Sequence, residues 1–146
     1  MKLSELCDVL PNCQRFGEDV EIESLAYDSR AVTPGALFIA LRGAKTDGHD
    51  FIAQALHQGA SALMVDSLHA GWYVAPGISA LAVPDTRQTL SPLAAAFYDA
   101  PTRALDLIGV TGTNGKTTTT YMIESILRTY GERVGLIGTL GAVING

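Results

Sequence analysis

The sequence predicts an α/β protein: a small N-terminal α/β domain, then the first βαβ unit of a P-loop-type parallel-sheet domain. Three observations predict it. Short apolar runs such as "ALFIAL" (36–41) alternate with amphipathic stretches, the pattern of strands covered by helices. Glycine and proline punctuate these runs, with 15 glycines in 146 residues. Finally, "LDLIGVTGTNGKTTTTYMIESIL" (105–127) passes from an apolar run through a Gly-rich turn into an amphipathic helix pattern.

In chain order, "LSELCDVL" (3–10) predicts a short helix ended by Pro11. "DVEIESLAYDS" (19–29) alternates at Val20 and Ile22 and predicts a half-buried strand. "ALFIAL" predicts a buried strand, bounded by Pro34-Gly35 and Gly43. "DFIAQALHQG" (50–59) predicts a helix with Asp50 as N-cap and Gly59 just past its end. "SALMVD" (61–66) and "ISALAVP" (78–84) predict two more strands. A helix around 86–99 starts either at a Thr86 cap, with Pro92 inside, or at a Ser91 cap, with Pro92 as its first residue. A domain boundary is expected near residue 88, giving domains 1–88 and 89–146. Beyond it, "LDLIGV" (105–110) and "RVGLIG" (133–138) are the strands of the βαβ unit. They flank a helix over 117–130 with Met122, Ile123, Ile126, Leu127 and Tyr130 on one face.

Composition narrows the function. The net charge is −5 with no basic cluster, which argues against nucleic-acid binding. No apolar run approaches the roughly 20 residues that span a bilayer, and the N-terminus has no signal-peptide core. A cytoplasmic protein without a membrane partner is expected. Cys7 and Cys13 have no nearby histidine and do not form a zinc pattern; two reduced structural thiols are expected.

The loop "TGTNGK" (111–116) carries the chemistry. A strand that ends in a glycine turn and enters a helix aims free backbone N–H groups at one point, where the helix dipole also favours an anion. Gly112, Thr113, Asn114, Gly115, Lys116, Thr117 and Thr118 are the candidate ATP-binding residues. Lys116 supplies a point charge for the β- and γ-phosphates, and Thr117 a hydroxyl for phosphate-bound Mg²⁺. These two are the candidate catalytic residues, and Thr117 the candidate metal ligand. The first glycine of G-x-x-x-x-G-K-[ST] is replaced by Val110. A plain Gly/Thr linker explains four consecutive threonines at a helix start poorly, since β-branched residues disfavour helix.

"GVTGTNGKTTTT" (109–120) closely resembles the ATP-binding loop of the Mur ligase family, which builds the peptide stem of peptidoglycan. Folylpolyglutamate synthetases share the TGTNGK core but usually lack the threonine run. "YDSRAVTPGALFIALRGAKTDGHDFIAQALHQGA" (27–60) independently resembles the family's UDP-binding domain, with its D-S-R, P-G-x-L-F and D-G-x-x-[FY]-I elements. Carried over residue by residue, the resemblance places Tyr27 and Ser29 at the nucleotide end of the substrate and Ala44, Lys45 and Thr46 near the UDP diphosphate. Without it, Asp28-Ser29-Arg30 is an ordinary turn with a surface ion pair.

The resemblance implies an ATP- and Mg²⁺-dependent ligase that adds the third, diamino acid to UDP-N-acetylmuramoyl-L-alanyl-D-glutamate through an acyl phosphate. The amino acid expected is meso-diaminopimelate; L-lysine and a D-Ala-D-Ala-adding step are the alternatives within the family. A P-loop kinase or hydrolase, or a non-catalytic UDP-sugar module, are the alternatives outside it. The resemblance also implies a magnesium-binding glutamate, a carbamoylated lysine and a C-terminal domain, none of them in these 146 residues. A fragment of a longer, monomeric enzyme is therefore expected, inactive as a ligase alone and prone to self-associate through 105–146. His57 and His69 read as solvated, His49 as part of a turn with Asp47 and Gly48, Trp72 as a packing residue, and Arg87 has no assigned role.

Overall fold

The structure is a computed structural model that describes residues 1–43, 46–73 and 75–144. The side chains of Trp72 and Tyr73 lie outside the described set, so the packing role expected of Trp72 does too. The chain forms two compact units, Met1–Ala104 and Leu105–Gly146.

The first unit is built on a five-stranded sheet of order β1-β5-β4-β3-β2. Its strands are β1 (Gln14–Phe16), β2 (Ser24–Ala26), β3 (Ala36–Ile39), β4 (Ala62–Asp66) and β5 (Ala80–Val83). β2, β3, β4 and β5 pair in parallel, and β1 adds an antiparallel edge. The runs of 36–41, 61–66 and 78–84 each contain a strand as expected, β3, β4 and β5, and each strand is buried along its whole length. The alternation at Val20 and Ile22 predicts a strand slightly too early, since pairing begins at Ser24. The short edge strand β1, which carries Arg15, has no apolar alternation to announce it.

Period-two alternation sorts the sheet residues onto two faces. On one face Leu37, Ile39, Met64, Leu81 and Val83 pack with Leu3 and Leu6 of α1 (Leu3–Val9) and Leu93 of α4 (Thr86–Phe97). On the other, Phe38, Leu63, Val65 and Ala82 pack with Ile52 and Ala55 of α2 (Ile52–His57). A further short helix, α3 (Ala70–Tyr73), follows β4. No helix among the described residues is long and apolar enough to cross a membrane.

Three expected helix details differ. Asp50 does not cap α2; a 3₁₀ turn, Gly48–Phe51, precedes it, and Asp47 caps that turn by accepting from the His49 N–H. α4 starts with neither candidate cap, because Asp85 accepts the Gln88 N–H at 2.9 Å and the helix runs through Pro92. The helix also carries the compact unit on to Ala104, so the boundary expected near residue 88 falls inside α4. Leu93 in the first core explains this continuation.

Cys7 and Cys13 are both free, and their sulfurs lie 2.7 Å apart against the first core. Burial, with the neighbouring Cys7, holds the Cys13 thiol well above the ordinary thiol range.

The second unit holds α5 (Lys116–Thr129), β6 (Gly135–Gly138) and β7 (Gly141–Ile144). The helix begins one residue before the expected 117. β6 pairs antiparallel with β7 across a two-residue turn, Thr139-Leu140. The expected strand at 105–110 has no ladder partners among the described residues, so the βαβ unit is present only as its turn, helix and second strand. A strand is held by its neighbours, and β6 has taken β7 instead.

Candidate functional site

In open parallel sheets, ligands gather where the strands end at their carboxyl edge. Several expected substrate residues lie at that edge. Tyr27 and Ser29 follow β2, and Thr46 follows β3. Ala44 and Lys45 lie outside the described residues. Tyr27 is 68% exposed, which leaves its ring accessible. Ser29 is only 7% exposed and its Oγ donates to Gln54 Oε1 at 2.9 Å, tying the turn to α2. A hydroxyl has one proton to donate and two acceptor positions, so Ser29 meets a ligand by accepting or by exchanging Gln54. Asp28 and Arg30 form the surface pair expected of an ordinary turn, Arg30 Nε to Asp28 Oδ1 at 3.0 Å and Nη2 to Oδ2 at 2.7 Å. Hydrogen bonds from the Arg30 side chain, then its backbone N–H, lower the Asp28 carboxyl to about 2.

Next to these residues lies a polar network that the sequence pattern does not announce. Arg42, just past β3, reaches Asp66 Oδ2 at 3.2 Å and His69 Nδ1 at 3.3 Å. His49, 2% exposed, joins Asp47 Oδ1 through Nδ1 at 2.6 Å. The Thr86 N–H donates to Asp66 Oδ1 at 2.8 Å, and Arg87 donates to the Arg42 carbonyl at 3.3 Å. His49 thus sits with Asp47 as expected, whereas Arg87 and His69 have partners where none was expected. The available signal was Asp66 itself, a charge closing the apolar run "ALMV".

The loop of the second unit presents a different geometry. Gly115 is the N-cap of α5 at φ +78°, a left-handed conformation that glycine adopts without steric cost. No side chain caps this helix end. The first intrahelical bond runs from the Thr119 N–H to the Gly115 carbonyl at 2.9 Å. The N–H groups of Lys116, Thr117 and Thr118 precede it and face outward from the helix start. Lys116 Nζ folds over the loop and donates to the carbonyls of Gly112 and Thr113. Thr120 Oγ1 bonds back to the Thr117 carbonyl at 2.8 Å. A recess of about 140 Å³ opens beside Lys116, Thr117 and Thr120, bounded by the β6–β7 turn. Open amides, an ammonium group and a hydroxyl fit a polyphosphate chain with its cation.

Residues 21–98 match the Mur ligase family, catalytic domain, and residues 110–145 match the Mur ligase middle domain. The chain is 47% identical, over 141 residues, to the UDP-N-acetylmuramoyl-L-alanyl-D-glutamate–2,6-diaminopimelate ligase of Alkaliphilus metalliredigens. That match covers 96% of this chain and 28% of the relative. Among solved structures, the D-alanyl-D-alanyl ligase of Acinetobacter baumannii aligns with a TM-score of 0.65 and 31% identity, over 86% of this chain and 27% of that one. The MurF ligase of Thermotoga maritima in complex with ADP aligns with a TM-score of 0.57 and 29% identity, over 76% of this chain and 24% of that one.

Proposed function

The chain belongs to the Mur ligase family, and on that premise we propose that it is the N-terminal part of an ATP-dependent ligase of peptidoglycan synthesis. The reaction joins a diamino acid, meso-diaminopimelate, to the D-glutamyl carboxylate of UDP-N-acetylmuramoyl-L-alanyl-D-glutamate. The observation that carries the reading is the uncapped start of α5, where Lys116 and Thr117 follow a left-handed Gly115. Loop residues Gly112, Thr113, Asn114 and Gly115, with the amides through Thr118, cradle the β- and γ-phosphates. Lys116 exchanges its two loop carbonyls for phosphate oxygens and meets the charge that develops on the transferred phosphoryl group. Mg²⁺, when bound, neutralises phosphate charge, and Thr117 is the residue here that holds it. The substrate carboxylate receives the phosphoryl group, and the amine displaces phosphate from the resulting acyl phosphate to form the amide. The first unit binds the UDP handle through Tyr27, Ser29 and the 44–46 loop. That remote affinity contributes to positioning the carboxylate. A pathway that consumes ATP and a UDP-sugar belongs in the cytoplasm.

The likeness to a D-alanyl-D-alanyl ligase structure supports one second reading, addition of D-Ala-D-Ala. The test incubates the full-length protein with ATP and Mg²⁺ in separate arms: the UDP-muramoyl dipeptide with meso-diaminopimelate, the same dipeptide with L-lysine, and the UDP-muramoyl tripeptide with D-Ala-D-Ala. Amide product with release of phosphate is expected only with meso-diaminopimelate. Product only from the UDP-muramoyl tripeptide and D-Ala-D-Ala establishes the second reading. No product in any arm sinks both.

A further inference from the structure

We propose that Cys7 and Cys13 form a modification site, a paired dithiol that low-molecular-weight disulfides close into a reversible internal disulfide.

The fold makes the pair. Cys7 stands in the last turn of α1, and Cys13 lies just ahead of β1. They are six positions apart in the chain, which puts them up to about 20 Å apart when it is extended. Three anchors bring them together. Leu3 and Leu6 seat α1 in the first core. Leu10, 5% exposed, enters the same core between the two cysteines, and its N–H donates to the Cys7 carbonyl at 3.2 Å. Pro11 and Asn12 then turn the chain, with Asn12 at φ +53°, a left-handed conformation that asparagine tolerates. Gln14 follows at once and pairs with Ala82 of β5.

Between these anchors the two sulfurs lie 2.7 Å apart. A disulfide bond is about 2.0 Å long, so closing it asks for a movement on the scale of a side chain. Both residues are half-buried, which leaves a path for a small reagent. No third histidine, cysteine or carboxylate among the described residues joins them in a cluster that could hold a metal ion. The pair therefore suits two-electron sulfur chemistry. In the reducing compartment proposed for the whole enzyme, such bonds are transient and redox-responsive rather than structural.

The chemistry balances as two exchanges. Cys7 gives its proton to water and attacks one sulfur of the small disulfide. A new S–S bond forms, the old one breaks, and a small thiolate leaves and takes up a proton. Cys13 then gives its proton to water and attacks the Cys7 sulfur of that mixed disulfide. The second small thiol leaves in the same way. Two electrons pass from the cysteine pair to the reagent, and an excess of small thiol reverses both steps. The environment sets the order. Burial first, then the hydrogen bond and charge of Cys7, hold Cys13 protonated. Once Cys7 carries the adduct, its hydrogen bond and charge are gone and Cys13 is easier to deprotonate.

The experiment titrates the dilute 146-residue chain, which has two cysteines, with oxidised and reduced glutathione in varied ratio. It is run in buffer and in concentrated urea, and read by thiol labelling and intact mass. Both thiols should disappear together into an internal disulfide, and excess reduced glutathione should restore them. Because the fold places the sulfurs in advance, the equilibrium constant for closure should be at least roughly tenfold larger in buffer than in urea. By the same linkage the disulfide should raise the urea midpoint of the first unit. Cys13→Ser should stop at a single glutathione adduct on Cys7. Closure no more favourable in buffer than in urea overturns the proposal. So do adducts that accumulate on the unaltered chain without closing, disulfide-linked dimers in place of the internal bond, or thiols that stay labelled at every ratio. If Cys13→Ser does not fold, the comparison of buffer with urea on the unaltered chain decides alone.

Discussion

The first unit hides its apolar residues on both faces of one sheet, while the second leaves most of its own in solvent. β3, β4 and β5 are buried end to end. In the second unit Leu136, 9% exposed, is the one large apolar residue buried among those described. Leu107, Ile108, Met122, Ile126, Tyr130 and Ile137 are all exposed. A cleft of about 240 Å³ separates 106–110, α5 and β6 where a packed core is expected. The chain spans about 28% of the length of the Alkaliphilus metalliredigens relative and 29% of that of a Geobacillus thermodenitrificans one. The difference teaches that the recognisable motif and the stable core are different parts of this molecule. The proposed phosphate loop needs only a turn and a helix start, whereas a core needs a covered sheet.

Hydrogen exchange on the 146-residue chain tests this contrast most directly. Amides of β3 and β4 should exchange through global opening of their unit, and those of 105–144 through local opening at little cost. A difference on the order of a thousandfold or more is expected. We also expect the chain to associate with concentration through the second unit, since exposed apolar faces and an open hairpin edge invite pairing. Equal protection of both regions in a monomeric sample breaks the comparison.

Lys116→Ala separates chemistry from stability. In the full-length enzyme, kcat should fall roughly 10²–10³-fold, the scale of one lost transition-state contact. Lys116 is exposed, and among the described residues its Nζ bonds only to its own loop carbonyls, so Tm should move little. Turnover close to wild type removes the phosphate-loop assignment.

Gly48→Ala works in the opposite direction. A Cβ there would lie 2.6 Å from the Leu41 nitrogen and 2.7 Å from its oxygen, and neither backbone atom can yield easily. The first unit should lose roughly 1–3 kcal/mol, read as a lower urea midpoint at constant slope. An unchanged midpoint would mean that the backbone at Leu41 and Gly48 relaxes freely.

How far the sequence was legible follows the same division. The central strands announce themselves because burial on both faces makes their apolar runs continuous. The loop at 111–117 announces itself because few needs other than anion binding bring glycines, lysine and threonines to a helix start. The edge strand β1 was illegible, since one edge of pairing leaves no periodic trace in three residues. So was the Arg42–Asp66–His49 network, whose members come from three separate segments and meet only when β3 and β4 pair. The 105–110 run was legible as apolar, but its pairing depends on neighbours that the run itself does not contain.

The smallest effect should come from the charged turn at the sheet edge. Asp28 is held at about 2 by hydrogen bonds from the Arg30 side chain, with the Arg30 N–H second. A carboxyl lower in the folded state than its ordinary value near 3.9 stabilises the fold above that value. The contribution fades as pH falls from about 4 through 2. Both side chains of the pair reach solvent, so screening leaves little of it. The expected result is a slight Tm gap between the unaltered chain and Asp28→Asn at pH 7, shrinking in 1 M salt and closing by pH 2. A gap that stays constant from pH 7 to pH 2 would assign the effect to the shape of the turn rather than to its charge. A gap rivalling that of Gly48→Ala would place much of the first unit's stability on its surface, against the picture of a fold held by the two faces of its sheet.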